Sequence, residues 1–353
     1  MVKIDIIKHQ YKRLNRKKII TSLIIAGIGM VIICYSLHTG PINLSFWQTL
    51  KVLVGGGNKI QHLVIWNIRL PRILAALIAG SSLSLAGCAM QCLLRNPLAS
   101  PFTMGISQGA AFGAAFAIIG LGIGQEPVTT EVPIIAKSPY IITMFAFSGA
   151  FVGIMMILTL ARLSRLSAYA MLLAGVAMGS LFTAATMLLQ YFAEDIEVAS
   201  VVFWTFGDVG RANMMDVSLM FFVSIVALIY FIWKKYDLNA IQTGEETAKS
   251  LGINTRSLRL VGILVAALVT AVSVAFLGII GFLGLVGPHI TRRLLGGDHK
   301  FLIPISALTG SVLLLAADTA ARTVMAPTIL PVGILTSFMG APLFIYLIIK
   351  KRE

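Results

Sequence analysis

Seven long apolar stretches punctuate the chain, near residues 19–38, 71–94, 140–161, 168–191, 214–233, 258–280 and 302–321. Each approaches the roughly twenty residues that a helix needs to cross a hydrocarbon core. Three further stretches are ambiguous: 107–123 and 280–295 are short and Gly-rich, and 328–349 starts at a proline. Together they predict an all-α integral membrane protein with about ten crossings. That even number places both termini on one side. The first apolar run follows a basic segment but no small-residue cleavage site, so it is read as an uncleaved anchor.

Small residues recur every four positions at Gly80, Ser84, Cys88 and Cys92, and again at Gly105, Gly109, Gly113 and Ala117. That spacing predicts helix faces on which backbones approach closely. Between the two stripes, Arg95-Asn96-Pro97-Leu98-Ala99-Ser100-Pro101 interrupts the helical pattern, because its prolines withdraw donors and disfavour helix before them. The short run that follows predicts a half-length or re-entrant helix starting near Ser107, with an ordinary loop as the alternative. The longest polar insertion, from Asp237 to Arg259, contains Gly244-Glu245-Glu246-Thr247-Ala248-Lys249-Ser250-Leu251-Gly252-Ile253. It predicts a short amphipathic helix closed by Gly252, with Ala248, Leu251 and Ile253 as its apolar face. Such a helix suits docking to a soluble partner or serves as a connector.

Composition agrees with lipid as the solvent: 58% of residues are hydrophobic, 12% are charged and the mean hydropathy is +0.91. A soluble domain carries about twice that charged fraction. The net charge of +14 does not call for nucleic acid. With the amino terminus inside, only Lys51, Lys59, Arg69, Arg72, Lys137, Arg211 and Arg322 of the 28 basic residues fall outside. The bias is that of inward-facing loops in membrane proteins.

Catalytic chemistry is not legible. The chain has no P-loop, no H-E-x-x-H and no G-x-S-x-G. Gly278, Gly281, Gly284 and Gly287 repeat every three residues inside an apolar run, which is not a dinucleotide fingerprint. Cys34, Cys88 and Cys92 lack partners at metal-ligand spacing and read as packing residues. Mid-membrane carboxylates, which carry coupling ions in gradient-driven transporters, are scarce. Asp318 lies four residues before Arg322, a spacing that favours a local ion pair. The energy source is therefore expected outside this chain, in an ATPase docked on the inner face. An ion-gradient-driven secondary transporter is the alternative, and a channel or scaffold is a further one.

Several ordered motifs resemble one family, the FecCD-type permeases of ABC importers for ferric siderophores, haem and cobalamin. They are Arg69-Leu70-Pro71-Arg72, Arg95-Asn96-Pro97-Leu98-Ala99, Gly244-Glu245 through Leu251-Gly252, Gly281 through His289, Gly297-Asp298-His299, Ala317-Asp318 through Arg322, Leu330-Pro331-Val332-Gly333 and Gly340-Ala341-Pro342. Two departures are Gly287, where a branched apolar residue is usual, and Thr205-Phe206-Gly207-Asp208 in place of the more common Gly-Ser.

The resemblance implies the type II importer architecture. A single permease domain would span 1–353, with a basic inner segment at 1–18 and a coupling region at 237–256. The implied setting is a prokaryotic cytoplasmic membrane with both termini cytoplasmic. The partners would be a second copy, two ATPases that bind ATP and Mg, an extracytoplasmic binding protein and membrane lipid; this chain would hold no cofactor. Gly244, Glu245, Glu246, Ala248, Leu251 and Gly252 match the family's coupling helix. Arg69, Arg72 and Arg322 match outward arginines that pair with acidic residues on the binding protein. Snorkelling for the first two, and a local pair with Asp318 for the third, are the competing readings. The path would run along the dimer axis beside the fifth and tenth helices. Met171, Leu172, Met178 and Met187 would form an adaptable wall; plain packing is the other reading. Arg162, Ser164, Arg165 and Ser167 would form the inner gate. The cargo stays open among ferric siderophore, haem and corrinoid, with oxyanions behind them.

Overall fold

A computed structural model of the chain describes residues 2–40, 42, 44–123, 139–163 and 167–350. Helices in chain order are α1 (Val2–His38), α2 (Phe46–Leu53), α3 (Lys59–His62), α4 (Leu70–Leu93), α5 (Ile106–Ala115), α6 (Pro139–Leu163), α7 (Ala168–Tyr191) and α8 (Asp195–Thr205). They continue with α9 (Met214–Trp233), α10 (Lys235–Thr243), α11 (Glu245–Ser250), α12 (Thr255–Leu277), α13 (Leu283–Leu295), α14 (His299–Thr323) and α15 (Val332–Lys350). Seven helical segments among the described residues are long and apolar enough to cross a membrane, and they coincide with the seven long stretches of the sequence. The ambiguous stretches become shorter helices: Ile106–Gly120, where α5 widens into a π turn at Phe116–Gly120, then α13 and α15.

The bundle is built around α4. Nearly every residue from Ala75 to Leu93 is buried, and α14, α12, α13 and α9 pack around it. In contrast, only 11% of the apolar window of α1 is buried, so α1 presents most of its surface outward.

The small-residue stripes do what their spacing predicts. A side chain on Gly80 would overlap the Gly310 carbonyl, and one on Gly310 would overlap that of Gly80, so α4 and α14 touch backbone to backbone. Gly109 of α5 and Gly149 of α6 form the equivalent crossing. Without a hydrophobic drive between helices in lipid, such contact supplies the packing attraction. At Gly287 a Cβ would run into Ser84 Oγ on α4, which leaves no room for the branched residue that the resemblance leads one to expect there.

Two breaks interrupt the helices. The first follows α4, where Arg95 adopts φ 47° and Asn96 N–H donates to the Gln91 carbonyl. The chain then runs through buried Ala99, Ser100 and Met104 before α5 starts at Ile106, one residue before the expected Ser107. The second separates α12 from α13 at Gly278 and Phe282, with φ of 77° and 65°. Irregular backbone inside a membrane bundle persists where protein or a cavity encloses it. Here Asp208 N–H donates to the Leu277 carbonyl, and Gly207 and Gly333 lie against Ile279.

The two ends of the bundle differ. One end, called the basic end below, gathers Lys18 over Phe301, the C-terminus of α4, α10, α11 and the starts of α12 and α14. The far end gathers the C-terminus of α1, the starts of α4 and α9, and the end of α14.

Candidate functional site

At the basic end, α11 is a single short helix held onto the bundle. Gly252, at φ 80°, ends it as the predicted left-handed cap. Its N–H donates to the Lys249 carbonyl at 2.9 Å, and Ile253 N–H reaches the Ala248 carbonyl at 3.0 Å. This pair of bonds is the Schellman motif, which satisfies the last carbonyls. The expected apolar face divides. Ala248 is fully buried in the main core and Ile253 packs against it, whereas Leu251 is 66% exposed. Leu251 therefore projects outward among exposed Glu246, Thr247, Lys249, Ser250 and Gly252.

Glu245 points back into the bundle. Its Oε2 lies 3.0 Å from Nη2 of buried Arg259, and its Oε1 accepts from Thr255 Oγ1 and pairs with Lys249. The hydrogen bond from Arg259, against a smaller desolvation cost, holds the carboxyl below the usual carboxylate range.

At the far end, the outward presentation expected of Arg69, Arg72 and Arg322 is corrected by burial: they are 3%, 8% and 7% exposed. Arg69 donates to the carbonyls of Leu37, His38 and Ile42, which terminate α1 and begin the following turn. Arg72 Nε donates to Asp318 Oδ1 at 2.9 Å, and its Nη2 also contacts Asp208 at 3.2 Å. Arg322 Nε donates to Asp318 Oδ2 at 3.1 Å, and its Nη groups reach the Thr39 carbonyl and Ser36 Oγ. The i,i+4 pair predicted for Asp318 and Arg322 is present, but Asp318 serves two arginines. The Arg72–Asp318 and Arg72–Asp208 contacts have no signal in the sequence, because no local spacing encodes a contact across the bundle. These guanidiniums tie α1, α4, α14 and the Asp208 turn together. An unpaired charge in that setting would be expensive, so the fork geometry is spent internally.

Two cavities share Phe102 as a common wall. One, of about 470 Å³, is lined by Thr103, Gln108, Val176, Ser180, Thr183 and Met187. The other, of about 530 Å³, lies against Phe206, Phe282, Ile334, Ser337 and Phe338. They thus border α7 and α15, the fifth and tenth of the ten stretches read from the sequence. Within α7 the expected wall is corrected residue by residue. Met171 and Met178 are buried in the core, and Leu172 packs against it. Met187 alone of the four faces the cavity, 62% exposed. The cavity face of α7 instead carries Val176, Ser180, Thr183 and Ala184.

Of the expected gate, Arg162 is exposed at the end of α6, and Ser167 caps α7 by accepting from Ala170 N–H. Ser164 and Arg165 lie outside the described residues. Among the described residues no three His, Cys, Asp or Glu side chains gather as a metal site.

The comparisons agree with this geometry. The sequence model of the FecCD transport family matches residues 28–350. A Methanocaldococcus jannaschii protein, whose name marks it provisionally as an ABC transporter permease, is 58% identical over 98% of this chain and 99% of its own length. The hemin transport system permease protein HmuU of Yersinia pestis is 36% identical over 94% of each chain. The vitamin B12 import system permease protein BtuC of Vibrio cholerae is 31% identical over 99% of this chain and 98% of its own. A solved structure, described provisionally as a metal-chelate type ABC transporter in an inward-facing conformation, superposes with a TM-score of 0.80 at 30% identity, covering 94% of this chain and 99% of that one. This chain, with its central α4, its broken α12–α13 connection and its docked α11, is a member of the FecCD transport family of membrane permease subunits.

Proposed function

We propose that the chain is the translocating subunit of an ATP-driven importer for a metal chelate. It works as a homodimer with two cytoplasmic ATPases, which hold the ATP and Mg, and with an extracytoplasmic binding protein that delivers the cargo. The observation that carries this reading is the presentation of Leu251. A lone exposed leucine is ordinary on a protein surface, but this one stands on a capped helix that matches the family's coupling segment, at the end of the bundle where a cytoplasmic partner would bind. The basic end would face the cytoplasm with both termini. The three shorter helices, Ile106–Gly120, α13 and α15, would complete ten crossings. The relatives' names print hemin, ferric citrate, ferric hydroxamate and vitamin B12, and the cargo proposed here is a chelate of that kind.

Closure of the ATPases would shift α11, and the two permeases would then alternate between outward and inward openings. The cavities beside Phe102 form each subunit's half of the path, lined mainly by apolar and hydroxyl groups. The gate at 162–167 connects α6 to α7, the helix that borders the path. The buried arginines would shape the far-end platform on which the binding protein sits. Co-purification with the cognate ATPase tests the docking face: Leu251→Asp should abolish the complex while the chain still folds, and an undiminished complex overturns the role assigned to α11.

A further inference from the structure

Docking alone does not account for the side chain at the root of α11. Arg259, in the first turns of α12, is 2% exposed and bonds to both α11 and the end of α4. Its Nη2 meets Glu245 Oε2 at 3.0 Å, and its Nε donates to the Leu93 carbonyl at 3.1 Å. Leu93 is the last residue of α4, so this carbonyl is one that the helix itself leaves unsatisfied, at its negative end. Immediately beyond it the chain enters the irregular segment that places Phe102 between both cavities. Gly262 admits Leu93 against α12, since a Cβ there would press on the Leu93 methyl group. The connection therefore runs from the presented helix, through one guanidinium, to the backbone from which the cavity wall hangs.

Arginine suits this position, because its rigid planar fork holds two acceptors at fixed directions, whereas a lysine ammonium acts as one compact charge on a flexible stem. Glu245 is itself fixed by Thr255 and Lys249, so displacement of α11 is passed on rather than absorbed by a loose side chain.

We infer that Arg259 is a positioning residue that transmits movement of α11 to the Leu93–Phe102 segment. The inference rests on the reading of α11 as the ATPase-docking helix. The test uses the full complex of permease, ATPase and binding protein in proteoliposomes, with Cys34→Ser and Phe102→Cys introduced as a reporter. A hydrophilic maleimide is the probe, and its labelling rate is compared with and without ATP. The parent complex should show an ATP-dependent change in rate. Arg259→Lys and Glu245→Gln should each reduce that change by roughly tenfold, a coupling of ordinary size. Arg259→Lys should keep ATPase co-purification, basal hydrolysis and the thermal midpoint close to the parent's, and the rate change in Glu245→Gln is compared at equal bound ATPase. A merely structural arginine would lower the midpoint and spare the change. Retention of the full ATP-dependent change in either folded variant overturns the inference, and Glu245→Gln decides alone if Arg259→Lys does not fold. If the parent chain recruits no ATPase, the docking reading itself fails, which is a separate result.

Discussion

Arg72 and Asp318 stand 246 positions apart in the chain and meet inside the far end, Nε to Oδ1 at 2.9 Å, with Asp318 fully buried. The same carboxylate accepts from Arg322 through its other oxygen. One acidic residue thereby holds α4 and α14 in register. Asp318→Ala should destabilise the chain by about 3–5 kcal/mol, because it removes the carboxylate that two buried guanidiniums share and leaves Arg322 with neutral partners. The combined change Arg72→Met, Asp318→Leu and Arg322→Met should recover much of that loss, since replacing a whole buried ionic group with apolar residues is often neutral. Thermal unfolding in detergent, followed by size-exclusion chromatography, measures both.

The α4–α14 seam predicts a sharp contrast between glycines. Gly310→Ala should cost about 1–3 kcal/mol as backbone is forced apart, the usual range for overpacking, because its Cβ would meet the Gly80 carbonyl and Ser84. Gly27→Ala should not suffer this, as no atom lies within 4 Å of its Cβ position. The yield of monodisperse protein separates the two.

Methionines on α7 should separate by face. Met171→Ala, at a fully buried position, should lose about 2–5 kcal/mol of stability. Met187→Trp should leave the thermal midpoint near the parent's yet reduce uptake, because it fills the cavity beside Thr183 and Ser180. Equal effects of both changes on stability would remove Met187 from the path.

Glu245 sets a pH dependence with a definite sign. Its carboxyl is depressed by Arg259, so the folded form binds its proton less readily than the unfolded chain does. The contribution is fully present above the ordinary carboxylate range and is lost as pH falls through the depressed value. Hydrogen exchange of the 245–253 amides should stay slow from neutral pH down to the carboxylate range, after correction for intrinsic rates, and quicken below it. Glu245→Gln should quicken exchange across the whole range.

The sequence reveals what depends on local spacing. The apolar runs became helices, the every-fourth small residues became the Gly80–Gly310 and Gly109–Gly149 crossings, and Gly252 became a left-handed cap. The i,i+4 relation of Asp318 and Arg322 was also readable. What failed depends on which face of a helix meets which neighbour. In lipid both the interior and the exterior of a bundle are apolar, so the pattern along α7 does not distinguish buried Met171 from exposed Met187. Arginines at span ends read as outward-reaching because snorkelling and docking both place them there. Only the tertiary structure shows carbonyls of the α1 terminus waiting for Arg69. Arg259 was passed over for a related reason: among many inward basic residues nothing marks the one that folds back onto Leu93.

Movement of cargo by this chain should require energy released by a separate ATPase held at α11. The direct measurement is accumulation of labelled haemin, ferric citrate and vitamin B12 in proteoliposomes, with the binding protein supplied outside and ATP sealed inside. With the ATPase present, one of the three should accumulate in an ATP-dependent manner, and omission of either ATPase or ATP should return it to background. Accumulation in vesicles that contain this chain alone under an ion gradient would show that no ATPase is needed.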